Sequence, residues 1–430
     1  MRVLLTGATG FIGRAVAQAL RQRGHAVVPA TRRPPPGGGE HVQADFAAVP
    51  PRDWWVPRLA GIDAVVNAIG ILREQGGQTF EALHHRAPAE LFHACHAAGV
   101  RCVVQVSALG ADARGRTGYH RSKKAADDVL RALPLRSAIV QPSLVYGPGG
   151  TSAALFNKLA AAPVLPFPAG GRMLVQPVHL HDVVQGIVHL VEEPPEGSST
   201  YAFAGPQPLA LADYLRHLRA AMGENPRQWI VPLPASLFRA GATLAGLVPG
   251  SMLDRDTADM LLAGNAAEVN GLPALLGRAP RAPRDFIAPA ARESARREAA
   301  LDLWLPVLRL ALAFMWLWTA LVSFGLYPVR DSLALLARVG LHGAAASVAL
   351  YGAALLDLVL GVLTLAAPAR WRRPVWLAQA ALVAGYTVLI TVFLPEYWLH
   401  PYGPITKNLP ILALIGLLWS LEPPARGDNR

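Results

Sequence analysis

Charge is scarce in this chain, and its scarcity is uneven. Only 16% of the 430 residues are Asp, Glu, Lys or Arg, whereas soluble domains average about a quarter. The deficit falls on residues 303–421, which run for long stretches with almost no charge, while residues 1–300 have an ordinary soluble composition. A wholly water-soluble chain is thereby excluded. Cysteine is scarcer still: Cys95 and Cys102 are the only two, so no disulfide framework is expected and a reducing, cytoplasmic compartment fits. His93, Cys95 and His96 lie close together, but no second cluster completes four ligands, and no metal is expected. The chain opens directly on an apolar strand, so no cleaved leader is expected.

What is present in excess is positive charge, +11 from 40 Lys+Arg against 29 Asp+Glu. A nucleic-acid binder would gather such charge on one face. Here the arginines are scattered or sit beside apolar segments, as in Arg292, Arg296, Arg297 and in Arg370, Arg372, Arg373. That placement points to membrane lipid headgroups and to no nucleic acid.

Short apolar runs alternate with helical patterns in the first 150 residues. Strands are expected at 2–6, 27–30, 42–44, 64–68, 102–107 and 137–141, with helices near 12–23 and 80–98. Alternation of this kind predicts an α/β doubly wound parallel sheet of Rossmann type. Residues 1–150 are read as the nucleotide-binding core, 151–285 as a smaller, proline-rich substrate lobe and 286–302 as a charged linker. Four apolar segments follow at about 303–325, 345–367, 375–394 and 408–421. The first three are long enough to cross ~30 Å of hydrocarbon at ~1.5 Å per residue, and the fourth is short. Residues 303–421 are therefore expected to form an all-α transmembrane four-helix bundle. Arg292–Arg297, Arg370–Arg373 and Arg426–Arg430 would share the cytoplasmic side, leaving 326–344 and 395–407 outside.

The sharpest local signal is Thr6-Gly7-Ala8-Thr9-Gly10-Phe11-Ile12-Gly13, directly after a strand and opening a helix. Gly7 permits the tight turn, Gly10 lets backbone approach a pyrophosphate, and Gly13 allows close helix–strand packing. Thr9, Phe11 and Ile12 complete the turn, whose free N–H groups favour phosphate. At the end of the second strand an acid would select NAD(H) through the ribose 2′-hydroxyl. The sequence instead offers Arg32 and Arg33, which suit a 2′-phosphate and favour NADP(H) over NAD(H).

These residues resemble the extended and atypical short-chain dehydrogenase/reductase superfamily, NAD-dependent epimerase/dehydratase-like. Within it they are similar to the branch related to the accessory Rossmann subunit of respiratory complex I. Val106–Asp112, Tyr119-His-Arg-Ser-Lys123, Gln141–Pro148 and Pro177–Val183 carry the likeness over about residues 1–285. The resemblance implies that Asp45, beside Phe46, bonds the adenine. It implies that Ala68, Ile69 and Gly70 lie along the cofactor, and that Pro142 and Ser143 face the nicotinamide. It assigns Ser107 to orienting a substrate carbonyl, Tyr119 to general acid/base work and Lys123 to the nicotinamide ribose. Independently, Tyr119 and Lys123 stand one helical turn apart and share a face. A phenol titrates near ~10, and a neighbouring ammonium is expected to bring it down. In the complex I branch this pair is often eroded; here both residues are present. His179 and Asp182 are read as packing the lobe onto the sheet.

Residues 301–421 resemble the DoxX-like family of four-helix membrane proteins, through Phe324–Pro328, Leu335–Gly340 and Lys407-Asn-Leu-Pro410. Arg309 and Asp357 fall inside apolar spans and are expected to pair across antiparallel helices. Tyr397, Trp398 and His400 suit an interfacial anchor. Two classes of function fit: an NADP(H)-dependent oxidoreductase with a lipid-like or quinone-like substrate (or an epimerase or dehydratase using the same residues), and a non-catalytic cofactor-binding sensor or assembly module acting on a membrane-protein partner. The expected location is the cell inner membrane, multi-pass, with the N-terminal domain cytoplasmic.

Overall fold

A computed structural model describes residues 1–34, 38–115, 117–246 and 254–423. The arginines at 426 and 430, used above for orientation, lie outside the described residues, as do three residues of the 33–39 loop. The chain separates into two compact units, Met1–Ala300 and Leu301–Arg430.

The first unit is built on seven strands, β1 (Arg2–Thr6), β2 (Ala26–Thr31), β3 (Val42–Gln43), β4 (Ala64–Asn67), β5 (Cys102–Val106), β6 (Ser137–Pro142) and β7 (Ser198–Phe203). All pair in parallel in the order β7-β6-β5-β4-β1-β2-β3. The order reverses between β1 and β4, so a crevice opens at their carboxyl ends, where doubly wound sheets take their ligands. Strand side chains alternate between two cores. Val3, Leu5, Val66, Val104 and Val140 meet α1 (Phe11–Gln22) on one face. Leu4, Val65, Val103 and Ile139 meet α2 (Ala87–Ala97) and α3 (Gly118–Ala132) on the other. In α1 the buried Gly13, Val16, Ala17 and Leu20 fall at the three- and four-residue steps of one helical stripe. The region expected as one helix near 80–98 starts instead with a wide π turn, Glu81–Arg86, before α2.

A lobe with its own core follows, formed by α4 (Thr151–Ala161), α6 (Leu211–Ala221), α7 (Ala235–Gly246) and α8 (Arg255–Ala263) with short strand pairs, while α5 (Leu180–Glu192) packs beside α1 on the sheet through Val183, Ile187 and Val191. Phe156, Phe167, Tyr214, Leu218 and Phe286 fill it. The stretch expected as a linker is helical: α9 (Arg292–Leu321) begins there, Ala299 joins the lobe core, and Arg292 Nε donates to Ala221 O at 3.0 Å.

The second unit holds the rest of α9, α10 (Val329–Arg338), α11 (Gly343–Ala366), α12 (Ala369–Phe393) and α13 (Asn408–Leu421). Among the described residues, three helical stretches are long and apolar enough to cross a membrane, and α13 is shorter. The expected pairing of Arg309 with Asp357 does not form. Arg309 bonds Glu422, which also draws Arg372 to 3.8 Å. Asp357 is 3% exposed, and its Oδ1 has no hydrogen-bond partner among the described residues. Glu422 stands just past α13, close in sequence to nothing that would mark it as the partner of a residue 113 positions earlier. A buried polar chain, unforeseen from sequence, links three helices: Trp316 Nε1 donates to Gln379 Oε1 and Gln379 Nε2 to Thr364 Oγ1, both at 2.9 Å.

Candidate active site

The β1–α1 turn shows why its glycines are required. Gly7 adopts φ +67°, and a Cβ there would lie 2.5 Å from Ala68 O. A Cβ on Gly13 would lie 2.1 Å from Gly7 O. Gly10 is different: it caps α1 at φ −75°, and its own added Cβ would meet only Gly7 O at 3.1 Å. Its outer side is open, as a phosphate-binding backbone must be. Gly10 N donates to Gly7 O at 2.9 Å, closing the turn. Thr9 is exposed beside it, and Ile12 is partly buried at the start of α1. The Phe11 ring points away from the turn and packs under Gly150, 2.7 Å from where a Cβ would stand. Below the turn, Thr6 donates to Asn67, and Asn67 Nδ2 to Gln105 Oε1 at 2.6 Å, a buried polar row tying β1, β4 and β5 at the crevice. The turn thus fits a dinucleotide diphosphate by the chemistry of its free N–H groups.

Arg32 and Arg33 follow β2 and are exposed, and neither is held by a carboxylate among the described residues. Asp45 is exposed and caps a short turn by accepting Ala47 N at 3.0 Å, while Phe46 is buried against Trp55. Ser143 N donates to Phe203 O at 2.9 Å and its hydroxyl to Gln176 O at 2.5 Å, so its polar groups serve the backbone after the buried Pro142.

Helix α3 presents Tyr119 and Lys123 together. Thr117 caps it, accepting His120 N at 3.3 Å. Lys123 is 3% exposed, and its ammonium donates to Ile69 O and Val106 O, both at 3.0 Å. The segment after β4, with Ala68 and Gly70 on either side of Ile69, is therefore fastened to the lysine. A Cβ on Gly70 would come within 3.3 Å of Nζ. Tyr119 is ringed by Phe80, His84 and His120 at centroid distances of 6.0, 5.4 and 5.4 Å.

The electrostatics depart from the sequence expectation in one respect. Burial, reinforced by the Asp127 charge, pushes the Tyr119 phenol up to about 12, so the phenol holds its proton. Burial also lowers Lys123, with Asp127 opposing, and raises Asp127 itself. Asp127 and His84 were not singled out from the sequence. Asp127 lies one turn past Lys123, fully buried, and accepts the Ser107 hydroxyl at 2.5 Å. Ser107 is thus committed inward at 4% exposure, where the family role would turn it to substrate. The signal available was the Lys-x-x-x-Asp spacing on a helix face. His84 Nε2 accepts Ile71 N at 2.9 Å, which leaves the ring proton on Nδ1, 3.1 Å from Ser122 Oγ. Ser122 in turn donates to Tyr119 O at 2.9 Å. His84 thus joins the cofactor-side loop to the first turn of α3.

Burial, then the Lys123 charge, lowers His84 to about 2, and burial first lowers His179 to about 4. Both values lie below the ~6.5 of an unfolded histidine, so the unfolded chain takes up protons that the fold refuses. Stability present above about pH 6.5 is expected to fall as pH drops, by up to about 1.4 kcal/mol per pH unit per histidine. His84→Asn should flatten that slope in denaturant midpoints measured from pH 4 to 7 (about one site's worth); an unchanged slope would remove His84 from the account.

His179 and Asp182 hold the lobe. His179 caps α5, accepting His181 N at 3.2 Å, and its ring lies tilted against Tyr146 and Phe286 at centroid distances of 6.4 and 5.5 Å. Asp182, fully buried, accepts Arg278 Nη2 at 2.6 Å and Arg281 N at 2.8 Å. Cys95 and Cys102 are buried thiols, Cys102 pushed up to about 11 by burial, which makes them unreactive.

Comparison with known proteins agrees with this geometry. Residues 3–203 match the NAD dependent epimerase/dehydratase family, and residues 313–416 the DoxX-like family. A ceramide reductase of Caulobacter vibrioides is 30% identical over 248 residues, which are 56% of this chain and 76% of that protein. Mouse mitochondrial NADH dehydrogenase [ubiquinone] 1 alpha subcomplex subunit 9 is 28% identical, over 56% of this chain and 66% of its own length. Among solved structures, a human epimerase family protein with NADPH superposes with a TM-score of 0.52 at 21% identity, covering 70% of this chain and all but 1% of that one. A nucleoside-diphosphate-sugar epimerase of Staphylococcus aureus does so with 0.54 at 18%, covering 67% of this chain and 99% of that one. These last two share the fold of the first unit.

Proposed function

Because the chain belongs to the NAD-dependent epimerase/dehydratase family and ends in a DoxX-like membrane domain, we propose that it is a membrane-anchored, NADP(H)-dependent oxidoreductase acting on a carbonyl or hydroxyl group of a lipid-like or quinone-like substrate. The observation that carries the reading is the placement of Tyr119 and Lys123 on α3, with the lysine bonded to Ile69 O at 3.0 Å beside the β4 end of the crevice. When bound there, the nicotinamide supplies or accepts hydride. The protein's share is to hold the diphosphate on the Gly10 turn, the ribose at Lys123 and a proton on Tyr119 Oη. A phenol held protonated is a general acid toward a substrate oxygen that gains negative charge, so reduction of a carbonyl is the favoured direction. Arg32 and Arg33 would contact the 2′-phosphate. The anchor favours a substrate that also resides in the bilayer, and the ceramide reductase similarity supports that class. The proposed location is the inner membrane, with the first unit in the cytoplasm.

Two measurements test this. Tyr119→Phe in the full chain, reconstituted in lipid, should lose about 100-fold or more in NADPH-dependent turnover of ketone-bearing long-chain lipids or quinones, while binding cofactor as before. Retained turnover overturns the role of Tyr119. If the unaltered chain binds NADPH but turns over neither substrate class, the non-catalytic cofactor-holding module becomes the reading. Arg32→Ala and Arg33→Ala should each weaken NADPH binding about tenfold and leave NADH unchanged, since only the 2′-phosphate contact is removed. Equal losses for both coenzymes would sink the assigned preference.

A further inference from the structure

We infer that the outward face of α7 is an interfacial membrane contact beside the cofactor loop, placed to pass an apolar substrate between bilayer and site. This rests on the lipid-like substrate proposed above. The twelve residues of α7 (ASLFRAGATLAG) include one charge, Arg239, which is paired with Asp259 at 2.6 Å. The helix is held inward by little: Ala242 is its only buried residue, and Phe238 leans on Phe167 at 5.3 Å. Leu237 and Leu244, two turns apart, are 59% and 66% exposed. With the exposed Ala240 and Gly241 between them they complete a three- and four-residue stripe. In a soluble protein such a stripe faces a core; here it faces outward.

The position of α7 in the fold links this face to the site. Arg73 Nη2 donates to Gly246 O at the end of α7 at 2.6 Å, and Arg73 Nε lies 3.8 Å from Asp254, the cap of α8. Arg73 follows Ile71, whose N–H His84 fixes, by two residues, and the intervening Leu72 is 55% exposed. The apolar stripe is therefore fastened to the loop that runs on from Ile69 and Gly70.

The bilayer is the occupant the chain itself supplies. Ala299 on α9 is part of the core of the lobe that bears α7, and the same helix continues into an apolar stretch of membrane-crossing length. The lobe thus directly precedes that stretch along the chain. A face of leucine and small residues, its one charge neutralised, suits the boundary between headgroups and acyl chains. A protein partner recognised by charge would find no free charge on α7.

Cys95 and Cys102 are fully buried, so thiol labels report introduced cysteines. Leu237→Cys, Leu244→Cys and the control Glu193→Cys, exposed just past the end of α5, would each carry an environment-sensitive fluorophore in the full chain. Each would be placed, one copy per disc, in phosphatidylcholine–phosphatidylglycerol nanodiscs with and without brominated acyl chains. Labels at 237 and 244 should be quenched at least about twofold by brominated lipid and blue-shifted, with the control unaffected. NADPH affinity, unchanged, shows that the fold is intact. Equal emission in both lipids overturns the inference, and so does a blue shift without quenching, which would mean protein covers the face. Quenching without turnover of any lipid or quinone would sink the substrate reading and leave the surface standing; turnover without quenching would do the reverse.

Discussion

Lys123→Met is expected to reduce kcat by about three orders of magnitude and to weaken cofactor binding about tenfold, within the range of losses seen when a positioned proton-transfer system is dismantled. Methionine keeps most of the volume and removes the donors. The ammonium it replaces is 3% exposed and satisfies two backbone carbonyls, Ile69 O and Val106 O. Leaving a buried acceptor unpaired costs about 1–3 kcal/mol, so the loop after β4 should loosen from α3 and the site lose its register. Lys123→Arg should not rescue, because a planar fork cannot reach both carbonyls from the same buried stem. Steady-state turnover and fluorescence titration of NADPH measure the two effects separately. A Met variant with unchanged kcat would remove Lys123 from the chemistry.

The parts of this site that sequence revealed are those in which local chain geometry and chemistry coincide. The glycines at 7, 10 and 13 announce a strand, a turn and a helix because Gly7 and Gly13 answer steric demands of the turn itself and Gly10 the approach of a ligand, all within eight residues. Tyr119 and Lys123 were legible for the same reason, being one turn apart. The contacts that arrange them were not. His84 reaches Ile71 and Ser122 only because a π turn and α3 are brought together by the sheet. Ser107 turns to Asp127, a partner twenty residues away that the fold brings to it. In the membrane unit, hydropathy located the helices, while the partner of Arg309 depended on helix neighbours that composition does not specify. The same gap hid the Trp316–Gln379–Thr364 chain, whose members look like isolated polar residues until three helices meet.

A pair of alanine substitutions separates the fold from the ligand at the glycine turn. Gly13→Ala should destabilise the first unit by about 3 kcal/mol or more and abolish measurable coenzyme binding. The new Cβ would sit 2.1 Å from Gly7 O and 2.7 Å from Gly7 C, both backbone atoms, so only displacement of α1 from β1 can relieve the clash. Val16, Ala17 and Leu20 would move with the helix, opening the core they share with Val3 and Leu5. Gly10→Ala should behave otherwise. Its φ of −75° suits any residue, and the added carbon meets only Gly7 O at 3.1 Å, so the melting transition should shift little. The methyl would nevertheless stand on the open side of the turn, where the diphosphate must approach the N–H groups, and NADPH affinity should fall about 100-fold. Thermal unfolding and calorimetric titration of the two full-length variants separate a binding loss that follows loss of the fold from one that leaves the fold intact. Normal binding by Gly10→Ala would mean that no diphosphate rests on this turn, and the nicotinamide chemistry proposed for the crevice would lose its foundation.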